Sequence, residues 1–417
     1  MNTNHSREHG QVMILMAIGF VVFLGFVALA IDGGMIYSER RRAQNGSDAS
    51  SLAGGGAAAL SMENSGVVYA NFNCADSRIA DAEAAAIAAA ISRAASNKYT
   101  IDDNISDVNG VTTVCGQDSS YGYVDKYIDV KVQISDTVKT SFAQLMFTGK
   151  FRNQVEAITR VRPRSPLAFG HAVVALNEAD CSGNQNGAQF GGSSDIDING
   201  GGIWTNGCLG GDGNSYDVDV TNGSIVYAGR ADGTMNFDPE ETQVPYPLPS
   251  SSFEVPAPDC SDHHAHHMTN LTLHNGTLNL DPGLYCISGD ITVNGGTLTG
   301  EDVTFYLESG DVSINGNAEV NLGSPATTPD PSPAIGGMLF YVASGDISLE
   351  GNATSAYLGV VYAPQGTIDI QGSNGTTPTF NTQLIGENVH VSGNADIDIN
   401  FNASEQYARP TSIELWK

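Results

Sequence analysis

The sequence predicts an N-terminal transmembrane α-helix and a small α+β domain, followed by an all-β right-handed parallel β-helix. Three observations predict this: an uncharged apolar run over 12–31, mixed helix and strand patterns up to residue 165, and a six-residue motif that recurs every 21 residues further on. The expected organisation is 1–60 for the membrane helix and its extension, 61–165 for a juxtamembrane α+β domain, and 166–417 for the repeat region. A loop excursion is expected within the repeat region at about 235–265.

The run Val12–Ile31 holds 20 residues without a charge or a proline. As a helix it is about 30 Å long, one hydrocarbon core. A cleaved signal peptide is the rival reading, but its apolar region is shorter and ends in an A-x-A-like site. Here Asp32-Gly33-Gly34 follows, then Glu39-Arg40-Arg41-Arg42. Those arginines alone would hold the C-terminal side in the cytoplasm. The cysteines point the other way. Six occur, at 74, 115, 181, 208, 260 and 286, with no C-x-x-C pair and no zinc-finger spacing, which favours a disulfide framework in an oxidising compartment. Sequential pairing, Cys74 with Cys115, Cys181 with Cys208 and Cys260 with Cys286, closes the shortest loops, each contributing about 3–4 kcal/mol in the chain-entropy picture. The expected placement is a single-pass membrane protein with a periplasmic or extracellular C-terminal region at the cell surface.

Gly10-Gln11, the apolar helix, Ala30-Ile31-Asp32-Gly33-Gly34-Met35-Ile36-Tyr37 and then Gln44-Asn45-Gly46-Ser47-Asp48 resemble the Tad (tight adherence) Flp pilus-assembly N-terminal domain of TadG-like proteins. That domain begins Gly-Gln and carries Val-Asp-x-Gly-Arg-x-Tyr and Leu-Gln-Asn-Ala-Ala-Asp stretches. The resemblance implies roles for Asp32, Gly34, Tyr37, Gln44, Asn45 and Asp48, and a prepilin-type cleavage at Gly10/Gln11. Two departures stand out: Ala43 replaces the Leu before Gln-Asn, and Gly46-Ser47 replaces Ala-Ala. Cleavage after Gly10 would put Leu15 where true pilins carry Glu, so the resemblance implies an anchored pilus-associated protein more than a pilin-like filament subunit. Its partners would be the membrane and pilus-assembly proteins, or further copies through the N-terminal helix.

Residues 75–97 read as a helix capped at Asp76 or Ser77, with Ala80, Ala84, Ile87, Ile91 and Ala94 on one face for packing against the Ala-rich end of the first helix. Strand patterns follow at Tyr123–Ile134 and Gln154–Arg162, flanking a helical stretch at 140–149.

The repeat occurs at Asp290, Asp311, Asp346, Thr367 and Asn388, with starts 21, 35, 21 and 21 residues apart. The long interval holds the Pro-rich loop 325–333. Earlier copies begin at Asp195 and Asp217. Stacking of these coils puts Ile291, Val312, Ile347, Ile368 and Val389 in one interior ladder, and Val293, Ile314, Leu349, Ile370 and Val391 in a second. Each coil also has an uninterrupted apolar stretch, such as 303–307, 338–342 and 358–362. An antiparallel sandwich would show alternating strands too, but gives no reason for a fixed period.

Charge is unevenly divided: residues 1–165 carry 15 basic and 16 acidic side chains, residues 166–417 carry 3 and 30, and the whole chain stands at −28. Nucleic acid is thereby excluded as a partner, because phosphate contacts need clustered Lys and Arg. A polysaccharide lyase needs a cationic base and a site that attracts an anionic polymer, and the repeat region has neither. A hydrolase would rest on carboxylates such as Asp195 with Asp197, or Asp217 with Asp219, yet outward alternation alone accounts for them. No catalytic residue and no cofactor are therefore expected; binding or cleavage of a surface glycan is the alternative. Asp262 with His263, His264, His266 and His267 could hold a transition metal, and calcium could act as a diffuse counter-ion, since no calcium-loop motif occurs.

Overall fold

The structure, a computed structural model, describes residues 9–103, 109–119, 122–143, 151–179, 181, 186–193, 195–212, 217–233, 236–329, 332–351, 354–372 and 379–416, with side chains from Val12 onward. It divides into two compact units, one of residues 1–117, 125–163 and 411–417, the other of residues 118–124 and 164–410.

The first unit is built on one helix, α1 (His9–Asn64), 56 residues long. Its 12–31 stretch leaves its large apolar side chains uncovered, Phe20 63% and Leu29 70% exposed, as lipid-facing residues would be. The helix does not stop at Ile31. It runs on into a folded layer, because 32–64 contains no proline and its Ala, Gly and Ser residues permit close packing. Against this half lie α2 (Ser77–Ser96) and a four-stranded sheet ordered β1 (Gly110–Asp118), β2 (Asp125–Val138), β3 (Phe151–Arg162) and the C-terminal strand Ser412–Leu415. β2 and β3 pair antiparallel from Ile128↔Val161 to Val138↔Phe151. Asp76 caps α2 by accepting the Arg78 N–H.

The buried face of α2 is Ile79, Ala82, Ala86, Ala90 and Ala94, not the expected Ala80–Ala84–Ile87–Ile91 face. Only Ala94 is common to both. Close approach selects the smallest side chains: a β-carbon on Gly54 of α1 would lie 2.9 Å from the Ala86 carbonyl oxygen. The two isoleucines pack at the edge of this contact. The expected helix at 140–149 lies largely outside the described residues. The C-terminal strand also moves a boundary, because Thr159↔Leu415 to Arg162↔Ser412 pairing places 411–417 in the first unit, whereas the sequence pattern assigned them to the repeat region.

The second unit is dominated by a 24-stranded, parallel-paired sheet. Most strands pair with the strand three places later, and the long strands Ala356–Gly372 and Thr379–Gly393 each run through more than one column, so that three columns of strands build up. Both expected interior ladders are present. In the second column Leu271, Ile291, Val312, Ile347, Ile368 and Val389 are paired in succession, each at most 2% exposed. The column does not end there, because Val389 pairs Ala188 and Ala188 pairs Leu209. The last coil in sequence thus stacks on the first, and the stack runs from His266–Met268 through the chain's C-terminal coils to Thr242–Gln243.

Two expectations change here. The motif copies at Asp195 and Asp217 lie in the third column, in register with Ile397–Asn400, because alternation with a tight turn suits any inward-facing strand and does not name a column. The excursion is narrower than 235–265, since Asn236–Asp238 and Thr242–Gln243 still pair in the sheet. The remaining stretch joins opposite ends of the stack as a strap. Its Val244, Leu248 and Val255 are buried against Trp204, Met338, Tyr341, Tyr362 and Ile385. Leu248 N–H donates to Asn206 Oδ1 at 2.8 Å, and Tyr341 O–H donates to the Val255 carbonyl at 2.9 Å.

Candidate functional site

The residues behind the family resemblance lie on α1, where it leaves the apolar stretch and enters the first unit's core. Asp32 is buried, and its carboxylate accepts backbone N–H groups of Ser141 at 2.7 Å and of Phe142 and Ala143. Burial pushes its pKa up, but the three donors outweigh that and leave it below the usual carboxylate value. Asp32 therefore ties the start of the folded layer to the end of the apolar segment. About three turns beyond, Gln44 Nε2 donates to Asp48 Oδ1 at 2.7 Å and to the Glu156 carbonyl at 3.2 Å, linking α1 to β3.

The Gly46-Ser47 departure from the family pattern has a physical reason. A β-carbon on Gly46 would fall 2.7 Å from the Tyr99 ring, so Ala does not fit there without movement. Ser47 Oγ donates to the Val132 carbonyl at 2.8 Å inside the core, and Ala43 is fully buried. Gly34, Tyr37 and Asn45 make no such contacts among the described residues: nothing lies near a β-carbon on Gly34, Tyr37 is 70% exposed, and Asn45 is exposed and lines a cavity. Gly10 and Gln11 are helical in backbone; their side chains lie outside the described residues.

The cysteines are joined as Cys74–Cys115, Cys181–Cys208 and Cys260–Cys286. The last bond pins the far end of the strap to the strand Gly283–Ile287.

Among the histidines the structure gathers Asp262, His263 and His264, whose ligand atoms lie within 4.8 Å of one another. His264 Nδ1 is 3.0 Å and His263 Nδ1 3.6 Å from Asp262 Oδ1. His266 and His267 are not in this group. They belong to the strand His266–Met268, and the His266 ring stacks on Tyr285 with centroids 4.6 Å apart. The expected five-residue set is therefore not gathered as one group, because the 262–265 stretch turns, with Ala265 N–H donating to the Asp262 carbonyl.

Asp197, Asp219 and Asp398 are cross-strand partners on the outer face of the third column. Partial burial and then the neighbouring carboxylates Asp398, Asp219, Asp195 and Asp396 raise the Asp197 pKa; for Asp219 the cause is again desolvation, followed by Asp217, Asp238 and Asp195. Such a stack can attract cations. One feature carried no sequence signal: the clamp in which Arg160 forks onto Asp129 at 2.8 and 2.9 Å beside the Tyr127 and Trp416 rings.

Residues 246–404 match the profile of a domain of unknown function, DUF7305, which spans the strap and the C-terminal coils. No curated protein and no solved structure matches the chain. Residues 10–59 match the Tad profile, Flp pilus-assembly TadE/G-like, and these are the residues that contain the apolar segment, Asp32, Gln44 and Asp48, so the chain carries an N-terminal domain of the Tad family.

Proposed function

We propose that this protein is an anchored cell-envelope component of the Flp pilus-assembly type, a structural and interaction protein and not an enzyme. The observation that carries this reading is α1 itself. One unbroken helix contains both the Tad-matching segment and the exposed apolar stretch, and its next residues are bonded into a folded core. An anchor must transmit position from membrane to folded domain, and a rigid helix with a buried Asp32 joint does so. Three disulfides favour an oxidising compartment for the C-terminal region. In this reading the parallel sheet winds as a right-handed β-helix, the hand that parallel crossovers take almost without exception, and its acidic outer faces and loops meet surface partners. The third-column carboxylates serve solubility and cation-dependent contact.

The test combines location with phenotype. A chain tagged at the C-terminus is expected to fractionate with membranes, to expose its tag to protease outside the cytoplasm, and to be needed for pilus-dependent attachment. Recovery in sheared filaments would replace the anchor with a pilin-like subunit. Polysaccharide cleavage lost in Asp195→Asn, Asp197→Asn, Asp217→Asn and Asp219→Asn variants would replace it with a glycan-degrading enzyme.

A further inference from the structure

A cleft of about 440 Å³ lies between α1 and the C-terminal end of α2, lined by Ser38, Arg41, Arg42, Asn45, Lys98 and Tyr99 among others. Its charged lining is entirely cationic, in a chain whose net charge is −28. Two residues of the lining also hold a polar atom that is closed off from solvent and has no partner among the described residues, Asn97 Nδ2 and Tyr99 Oη. Buried donors in this condition are costly unless a ligand or ordered water completes them.

Lys98 supplies an independent observation. It occupies the position just past the end of α2, where Lys98 N–H donates to the Ala95 carbonyl and Tyr99 N–H to the Ala94 carbonyl, and it has φ +69°. Glycine is the ordinary residue at this left-handed position. A lysine there accepts backbone strain, and its amine joins the lining of the cleft. Stabilisation of the helix end by a basic residue is available from Arg93 in the last turn, so the strained position is not needed for that purpose. Opposing charge is limited: Glu39 pairs with Arg42 at 3.9 Å, and Asp136 bears on Tyr99 from the sheet.

The geometry points to a binding site for a phosphate-bearing ligand, held by Arg41, Arg42 and Lys98. The cleft is much larger than one phosphate, so it has room for the group that carries it. Its place on α1 limits the source. Ser38 is about 10 Å of helix beyond Ile31, at or just past the headgroup layer, so the phosphate is either in solution or displayed on a lipid headgroup.

The full chain in phosphatidylcholine nanodiscs is titrated with inorganic pyrophosphate by calorimetry at low salt, and in parallel assembled with fluorescent phosphatidic acid. Arg41→Gln and Lys98→Gly are expected to weaken binding at least tenfold, while Arg230→Gln, which removes a distant charge, leaves it unchanged. Lys98→Gly should also raise the melting temperature by relieving the left-handed strain, which separates lost binding from lost folding. Pyrophosphate binding with this pattern assigns a soluble ligand; phosphatidic acid binding alone with this pattern assigns a headgroup. Wild-type affinity in Arg41→Gln and Lys98→Gly, or failure of both probes to bind the wild type, overturns the site.

Discussion

The carboxylate of Asp311 accepts the backbone N–H of Asp346 at 2.9 Å, one coil along the stack. Asp290 does the same for Asp311 and Asp346 for Thr367, while Asn270 Oδ1 takes the Asp290 N–H. The recurring Asp at the head of each repeat is therefore a rung between coils, and the glycine before it is what allows the approach: a β-carbon on Gly345 would meet the Gly310 carbonyl oxygen at 2.1 Å.

Asp311→Ala removes one rung and leaves the Asp346 N–H to water, so a loss of about 1 kcal/mol is expected in denaturant unfolding. Asp311→Asn keeps an acceptor, as Asn270 already does, and should cost under half as much. Equal losses in both variants would show that charge, not the hydrogen bond, holds the rung.

His171 gives the second unit an acid-sensitive point. It is buried edge-on to Trp204, ring centroids 5.3 Å apart, and burial pushes its pKa down to about 4 from 6.5. The unfolded chain takes up the proton below 6.5 and the folded chain only near 4, so stability is full above pH 6.5 and falls as pH drops between these values. The loss attributable to this group is up to about 3 kcal/mol. His171→Leu should abolish that part of the pH slope, measured as melting temperature from pH 7 to 4; an unchanged slope would place the sensitivity elsewhere.

The in-register carboxylates Asp197 and Asp219 act in the opposite sense. Their pKa values are raised in the folded chain, so the folded state binds the proton more tightly and stability declines as pH rises through the carboxylate range. Asp197→Asn is expected to raise the melting temperature at pH 7, with the gain vanishing at acid pH where both forms are neutral. Millimolar calcium should narrow the difference by stabilising the wild type. A lower melting temperature for Asp197→Asn at neutral pH would show that a contact of this carboxylate outweighs the repulsion.

The inward ladders were legible because period and burial coincide: Val312 and Ile347 recur at matching motif positions and meet in the same register. The apolar stretches 303–307 and 338–342 were visible too, but not their cause. Phe340 packs inside the coil while Tyr341 packs outward under the strap, so both faces are buried and alternation disappears. Nothing local reveals that Val389 pairs Ala188, because a long-range stacking order depends on where the strap delivers the chain. Asp32 was recognisable as a motif residue, whereas its partners at 141–143 were not, since backbone donors have no sequence signature.

Asp262, His263 and His264 offer a carboxylate and two imidazoles at mutual distances suited to a weak exposed chelate. If these three groups act as one metal site, zinc or copper binds the untagged chain and a chelator removes it. His264→Ala should lower affinity at least tenfold, while His267→Ala, outside the trio, should not. Loss in both variants would indicate a different ligand set.

Arg160 closes the first unit on its C-terminal strand. Its guanidinium lies 3.6 Å from the Tyr127 ring centroid and 4.2 Å from that of Trp416, with both forks on Asp129. A planar, bidentate group between two rings is not replaced by a point charge. Arg160→Lys is expected to cost about 2 kcal/mol, and Trp416→Ala about 1 kcal/mol of the stacking contribution. Because both act through one side chain, the double variant should cost less than the sum of the two. Additive losses in chemical unfolding would mean that the strand Ser412–Leu415 is held by its backbone pairing with β3 and that the clamp is incidental to it.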